Sequence, residues 1–195
     1  MVPDSPLEIL EGQIRECFGK VAYAHKAHEK CADITLTGHK RIKIVQIGFS
    51  ALITTGLLVI IFGDIRWVEI VTAILSTLLL GLNTYTKGDD RGEKAQKHSD
   101  TASDLWNIRE SYLSLITDIR SGNLNLEEAG KRRDRLQEEL AAAYKGAPRT
   151  TAKAYKRAAE ALKVKEELTF SDEEIDRFLP INLRRNTIAD NKPLT

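Results

Sequence analysis

Cysteine, net charge and strand-like alternation are all scarce in this chain. Its 195 residues contain two Cys, too few for the disulfide framework that holds a core-poor secreted domain together. Lys+Arg 29 against Asp+Glu 28 leaves a formal net charge of +1, so there is no basic field of the kind that draws a protein to nucleic acid. No stretch alternates polar and apolar residues at the period of two that a half-buried strand requires, which argues against a sheet. A 42% hydrophobic fraction is too high for a disordered chain. The mean hydropathy of -0.29 taken alone describes an ordinary soluble domain.

Charge is also missing locally, and those absences carry more information than the averages. Ile44 to Gly63 is 20 residues without a charge, and Ile70 to Thr86 is 17 more. The first contains 12 residues from Leu, Ile, Val and Phe, the second eight. A hydrocarbon core needs about 20 helical residues, with roughly 17 near the lower limit, so both runs read as transmembrane spans. A pair of buried core helices is the competing reading, but a chain of this size has little with which to bury both all round. Trp67 and Tyr85 stand near the two ends of the second span, where aromatic rings prefer the interface.

Only Gly63 to Glu69 separates the runs, which makes them an antiparallel hairpin with both termini on one side. Lys40, Arg41 and Lys43 precede the first span and Lys87, Arg91, Lys94 and Lys97 follow the second. By the positive-inside bias both termini are expected in the cytoplasm. The first 30 residues hold no apolar signal-peptide core, so the first span is expected to act as its own insertion signal. Cys17 and Cys31 then sit in reducing surroundings, and on one helix they are about 21 Å apart, too far to bridge.

The remainder reads as helix. Leu10, Ile14, Cys17, Val21, Ala24, His28, Cys31 and Thr35 step by four and three, and Ala95, His98, Ala102, Leu105, Arg109, Tyr112, Ile116 and Ile119 do the same, two heptad seams that flank the membrane segment. Each span is therefore expected to continue as a long helix. If Ile44 and Thr86 lie at one depth, residue n faces residue 130 minus n, placing Ala24 to Cys31 opposite Ser99 to Trp106. Ser121-Gly122 stops the second long helix. Asn125 with Glu128 opens a third that runs to Tyr144. A fourth is expected over Thr150 to Leu168, and Ser171-x-x-Glu174, with Phe170 and Ile175 placed as a staple, starts a short last one that Pro180 ends. The expected divisions are an N-terminal helix over 1–43, a hairpin over 44–86 with spans 44–63 and 70–86, a helical bundle over 87–180 and a polar, frayed tail over 181–195. The fold class is all-α.

No catalytic constellation is present: no phosphate-binding Gly loop after a strand, no Cys-x-x-Cys, no nucleophile elbow. We therefore expect no enzyme activity, cofactor or metal. His25, His28, Glu29 and Cys31 are near enough on a helix to sketch a metal site, but four tetrahedral ligands are not evident and packed seam histidines are the plainer reading. His28 and His98 on facing seams are candidates for a pH response. Lys131, Arg132, Arg133 and Arg135 are a possible anion cluster, but i,i+4 pairs of Glu127 with Lys131, Glu128 with Arg132 and Arg135 with Glu139 explain most of it. Pro148-Arg149-Thr150-Thr151 at a helix start offers free N–H groups to a phosphate, as any helix start does.

Polar residues inside the spans are the sharper signal, because such groups in lipid seek partners or water. Gln46, Ser50 and Thr54 form a stripe on the first span; Thr72, Ser76 and Asn83 fall on roughly one face of the second. The pairing rule sets Asn83 near Gln46 and Ser76 near Thr54. Interhelical hydrogen bonding, helped by the small stripe Ala73, Thr77 and Gly81, is one reading. Lining of a water-filled path is the other, and two helices cannot enclose one, so it requires several copies of the chain.

The layout resembles a known family. Tyr23 to His28 before the hairpin, Trp106, Arg109 and Tyr112 after it, then Arg132-Arg133-Asp134 and Tyr144-Lys145-Gly146-Ala147-Pro148 ahead of a helix with Tyr155, are similar to the SLATT family. These are two-transmembrane effector domains associated with SMODS nucleotide-generating enzymes and SLOG nucleotide sensors, and the likeness covers Leu10 to Pro180. The resemblance implies an effector of a bacterial anti-phage or conflict system in the inner membrane, oligomerising to form a pore or disrupt the bilayer in abortive infection. It implies membrane lipid, further copies of the chain and a separate nucleotide-generating or nucleotide-sensing protein as partners, and carries no catalytic residues. The alternative is a constitutive membrane scaffold whose cytoplasmic helices bind a partner.

Overall fold

Ser5 starts the first helix with a reciprocal cap. Its hydroxyl accepts from the Glu8 N–H at 3.3 Å and the Glu8 carboxylate accepts from the Ser5 N–H at 2.6 Å. From there α1 runs unbroken from Pro6 to Phe62, 57 residues or about 85 Å. The computed structural model describes residues 5–63 and 65–185. Among them are α2 (Arg66–Lys87), α3 (Arg91–Arg120), α4 (Leu126–Tyr144), α5 (Ala152–Lys163), α6 (Asp172–Phe178) and a 3-10 turn (Ile181–Leu183), with no strand. The fold is all-α.

α2 and α3 return antiparallel along α1, α4 packs on α3, and α5 lies against α1. One core fills the part outside the spans. Ile14, Leu105 and Tyr112 are fully buried, with Val21, Leu115, Leu136 and Ala129 around them. α5 docks through Ala154, Ala158 and Ala161, a face small enough for close helix approach. The most apolar windows of the two spans have mean hydropathies of 2.2 and 1.5 and are 0% and 6% buried, so this chain does not bury them as core helices.

Several expectations are corrected. The second span does not continue as one helix: α2 ends at Lys87 and α3 starts at Arg91. Asp90 caps α3 by accepting from the Glu93 N–H at 2.9 Å, while Arg91 and Lys94 close on the Asp89 carboxylate, so the break is held by its own acids. The second span begins at Arg66, making the turn shorter than Gly63 to Glu69; Asp64 lies outside the described residues. α5 ends at Lys163 rather than Leu168. Glu166 turns left-handed with φ 50°, and Glu167 is drawn back by Lys26 at 2.8 Å and Lys30 at 3.3 Å. Arg132 pairs with Asp118 on α3 at 2.8 Å instead of Glu128.

Other signals are met. Gly122 takes φ 71° where α3 stops, Asn125 caps α4, and Ser171 with Glu174 forms the capping box of α6. The expected frayed tail is ordered at its start: Arg185 donates to the Asp172 carboxylate at 3.1 and 3.2 Å. Residues 186–195 of it lie outside the described residues. Cys17 and Cys31 are both free thiols.

Candidate functional site

The seam between α1 and α3 is polar at its membrane-proximal half. Val21, His28, Cys31, His98, Ala102, Leu105, Arg109 and Tyr112 are all buried there, and Ala24 is half-buried. His25 Nδ1 donates to the Ala102 carbonyl at 2.9 Å, and its ring lies 5.3 Å from that of Trp106. His28 Nδ1 meets His98 Nδ1 at 3.1 Å, an arrangement in which one ring donates and the other, necessarily neutral, accepts. Burial first, then the charges of His98 and His25, push His28 down from 6.5 to about 4, and burial lowers His98 as well. With these rings so engaged, His25, His28, Glu29 and Cys31 do not converge, and no metal-like cluster of His, Cys, Asp or Glu occurs among the described residues.

Further along the seam, Arg109 is buried between Trp106 at 4.8 Å and Phe18 at 5.5 Å and pairs with Glu110. Two ring faces and one carboxylate thus contact its guanidinium. Tyr112 is fully enclosed and its hydroxyl makes no hydrogen bond of ordinary geometry among the described residues. Burial, seconded by the neighbouring Cys17 thiol, pushes that hydroxyl up to about 12.

The histidine pair predicts a pH dependence. A folded-state pKa below the unfolded one means the separated chain binds more protons over the window from about 6.5 down to 4. The stability contributed by neutral His28 is therefore full above that window and lost as pH falls through it. His25 and Glu29 on α1, His98 on α3 and the cations Lys20 and Arg149 surround the site. The detergent-solubilised protein should melt at lower temperature at pH 5 than at pH 7, and His28→Gln with His98→Gln should flatten that difference. Equal melting of the wild-type protein at both pH values would remove the claim.

In the hairpin the polar residues divide into two groups. Gln46 Nε2 donates to Asn83 Oδ1 at 2.8 Å and to Thr86 Oγ1 at 3.3 Å, as the pairing rule places them. Thr72 is the one buried residue of α2 and packs on Gly56, where a Cβ would stand 2.3 Å from its hydroxyl. Ser50, Thr54 and Ser76 instead are exposed; Thr54 donates to the Ser50 carbonyl at 2.9 Å and no hydrogen bond joins it to Ser76. The expected interhelical role of Ala73, Thr77 and Gly81 is corrected, because all three face away from α1, and Gly81 has nothing within 4 Å.

Helix geometry gives these exposed groups an order. At about 100° per residue, Ser50 and Thr54 project from one flank of α1, and Ser76 and Asn83 from the flank of α2 on the same side of the ribbon. Gly48, Ala51 and Thr55 fall on the back of α1, as Ala73, Thr77 and Gly81 do on the back of α2. Trp67 and Tyr85 are 67% and 72% exposed near the two ends of α2, as rings that anchor at an interface would be.

Among the contacts that the sequence did not announce are Gly56 on Thr72, the Lys26–Glu167 pair, and the stack of Tyr23 on Tyr155 at 5.4 Å. Gly56 alone carried a signal, as a glycine in the middle of an apolar run. The model of the SMODS and SLOG-associating 2TM effector domain family 4 matches residues 10–174. No curated protein and no solved structure matches the chain.

Proposed function

The chain belongs to this two-transmembrane effector family, and from that premise we propose that it permeabilises the bacterial inner membrane, as an assembly of several hairpins, when a nucleotide-generating or nucleotide-sensing partner signals infection. Both termini lie in the cytoplasm in this reading, and the outcome is arrest or death of the cell. The protein does no chemistry of its own; its work is a change in how hairpins pack.

The observation that carries the reading is the one-sided polar flank of Ser50, Thr54, Ser76 and Asn83. A single hairpin leaves three of these residues outside its helix pair. Arranged in a ring, the flanks of several copies supply a polar lining, and the small back faces allow close approach between neighbours. Gln46 takes a different part from the one its stripe implied: with Asn83 and Thr86 it ties the two spans together at one end of the hairpin.

Expression with and without a nucleotide-generating partner enzyme, followed with a membrane-potential dye, tests the reading. Depolarisation only on signalling is expected. Ser76→Leu and Thr54→Leu should each reduce it severalfold while chemical crosslinking between copies persists. A silent membrane together with retained partner binding would favour the scaffold instead.

A further inference from the structure

A cavity of about 580 Å³ opens on the cytoplasmic bundle between α1 and the α4–α5 connection. That volume lies within the range of small-molecule sites. Three of the chain's five Tyr line it: Tyr23, Tyr144 and Tyr155. Tyr155 is stacked on Tyr23 yet remains 56% exposed, and Tyr144 is 45% exposed, so two large rings show open surface to one space. Burying them against each other would have been the ordinary use of such side chains.

The charge of this cavity sets it apart. Its charged lining residues are Lys20 and Arg149, and none is acidic. Three other cavities of the bundle each contain two or more carboxylates, such as Glu110 with Glu139 or Glu29 with Asp33. Lys20 pairs at 2.7 Å with Glu16, both side chains being largely exposed, a contact that solvent makes weak. Arg149 has no ion pair among the described residues. Next to it the Thr151 hydroxyl caps α5 through the Ala154 N–H, which leaves the earlier N–H groups of that helix free.

Open aromatic faces, an unpaired guanidinium and no carboxylate call for a ligand that is both flat and anionic. We propose that this cavity binds a nucleotide, with its base against Tyr144 and Tyr155 and its phosphate held by Arg149 and Lys20. His28 also lines the cavity, and its other contact is the His98 ring on α3. An occupant therefore touches α1, the α4–α5 connection and one side of the contact between α1 and α3, the helix that leads into the second span. A ligand that prefers one arrangement of that contact shifts the hairpin with it. In placing the trigger on this chain the inference rests on the effector reading, but its test needs no permeabilisation.

The test is calorimetric titration of the purified full chain in detergent with AMP, GMP, CMP and UMP, with adenosine and inorganic phosphate as separate arms. At least one nucleotide should bind about tenfold or more tightly than either adenosine or phosphate. Arg149→Gln should weaken that nucleotide by about tenfold and leave adenosine unchanged. Tyr155→Ala should weaken both nucleotide and adenosine. Arg149 is exposed, so Arg149→Gln should keep the wild-type melting temperature; Tyr155→Ala also gives up the Tyr23 stack, and Tyr155→Phe, which keeps the ring, should bind nucleotide as the wild type does. If no nucleotide binds more tightly than phosphate, or if Arg149→Gln and Tyr155→Ala both bind as the wild type does, the proposal is wrong, whatever the membrane dye reports.

Discussion

Alanine at Leu105 is expected to lower the stability of the helical bundle outside the spans by about 3 kcal/mol. Leu105 is 0% exposed, on the same line as Ile14, Val21 and Tyr112. The core is a seam between two long helices rather than a ball, so its length cannot shorten to close a gap. Nor can α5 move in readily, because its alanine face is already in contact and Ala154 and Ala158 are themselves fully buried. The side chains removed from Leu105 thus leave a void with little means of collapse. Thermal unfolding of the detergent-solubilised protein should show a midpoint lowered by roughly 6–12 °C. Tyr112→Phe is the matched control from the same seam, since it deletes a hydroxyl that makes no hydrogen bond of ordinary geometry and should be neutral or slightly stabilising. An unchanged midpoint for Leu105→Ala would mean that the α1–α3 seam does not hold the bundle.

Much of this seam was legible because its signals are periodic and each lies in one segment. Uncharged runs marked the spans, steps of four and three marked the packed positions, and one depth assumption set Gln46 against Asn83, which hydrogen bond at 2.8 Å. The caps at Asn125 and Ser171 were equally local. The break at Gly88 to Asp90 was local too, and Asp90-x-x-Glu93 is a helix start of the same kind; it was obscured by the heptad that begins at Ala95, just beyond it, and was extended back to the span. Other features had no local trace. Nothing in Val164-Lys165-Glu166-Glu167 stops a helix, and α5 ends where Lys26, more than a hundred residues earlier, takes Glu167. Tyr23 and Tyr155 are likewise joined only by the path of the α4–α5 connection across α1.

The hairpin followed a different logic. A polar residue in a span has to satisfy its hydrogen bonds, but a Thr can do so with the carbonyl four residues before it. Thr54, Thr55, Thr77 and Thr84 all do. Polarity alone therefore did not say which residues face the other span, whereas Gln46 and Asn83, with amides too large for that solution, found each other. The remaining determinant is size, and size points to Gly56.

Leucine at Gly56 is expected to separate the two spans and abolish the proposed permeabilisation. Even the first carbon of a side chain there would stand 2.3 Å from Thr72 Oγ1 and 3.4 Å from its Cβ and Cγ2. Alanine is tolerable if the Thr72 hydroxyl turns aside; leucine has nowhere to go, because Thr72 is itself only 6% exposed. Overpacking of this kind costs about 1–3 kcal/mol in a tight core, and a two-helix ribbon relieves it by opening. The consequence reaches Gln46 and Asn83, which must stay within hydrogen-bond reach to tie the spans together. In a background of Cys17→Ser and Cys31→Ala, the pair Gln46→Cys and Asn83→Cys reports this through a short thiol crosslinker. Gly56→Leu should cut the crosslinking rate by about tenfold and, in a chain that keeps Gln46 and Asn83, silence the membrane dye, and Thr72→Gly added to it should recover part of both, since it restores the missing space on the facing helix. Crosslinking at the wild-type rate in Gly56→Leu would show that the spans do not pack through this contact, and full recovery of crosslinking without recovery of depolarisation would separate hairpin closure from the assembly of hairpins.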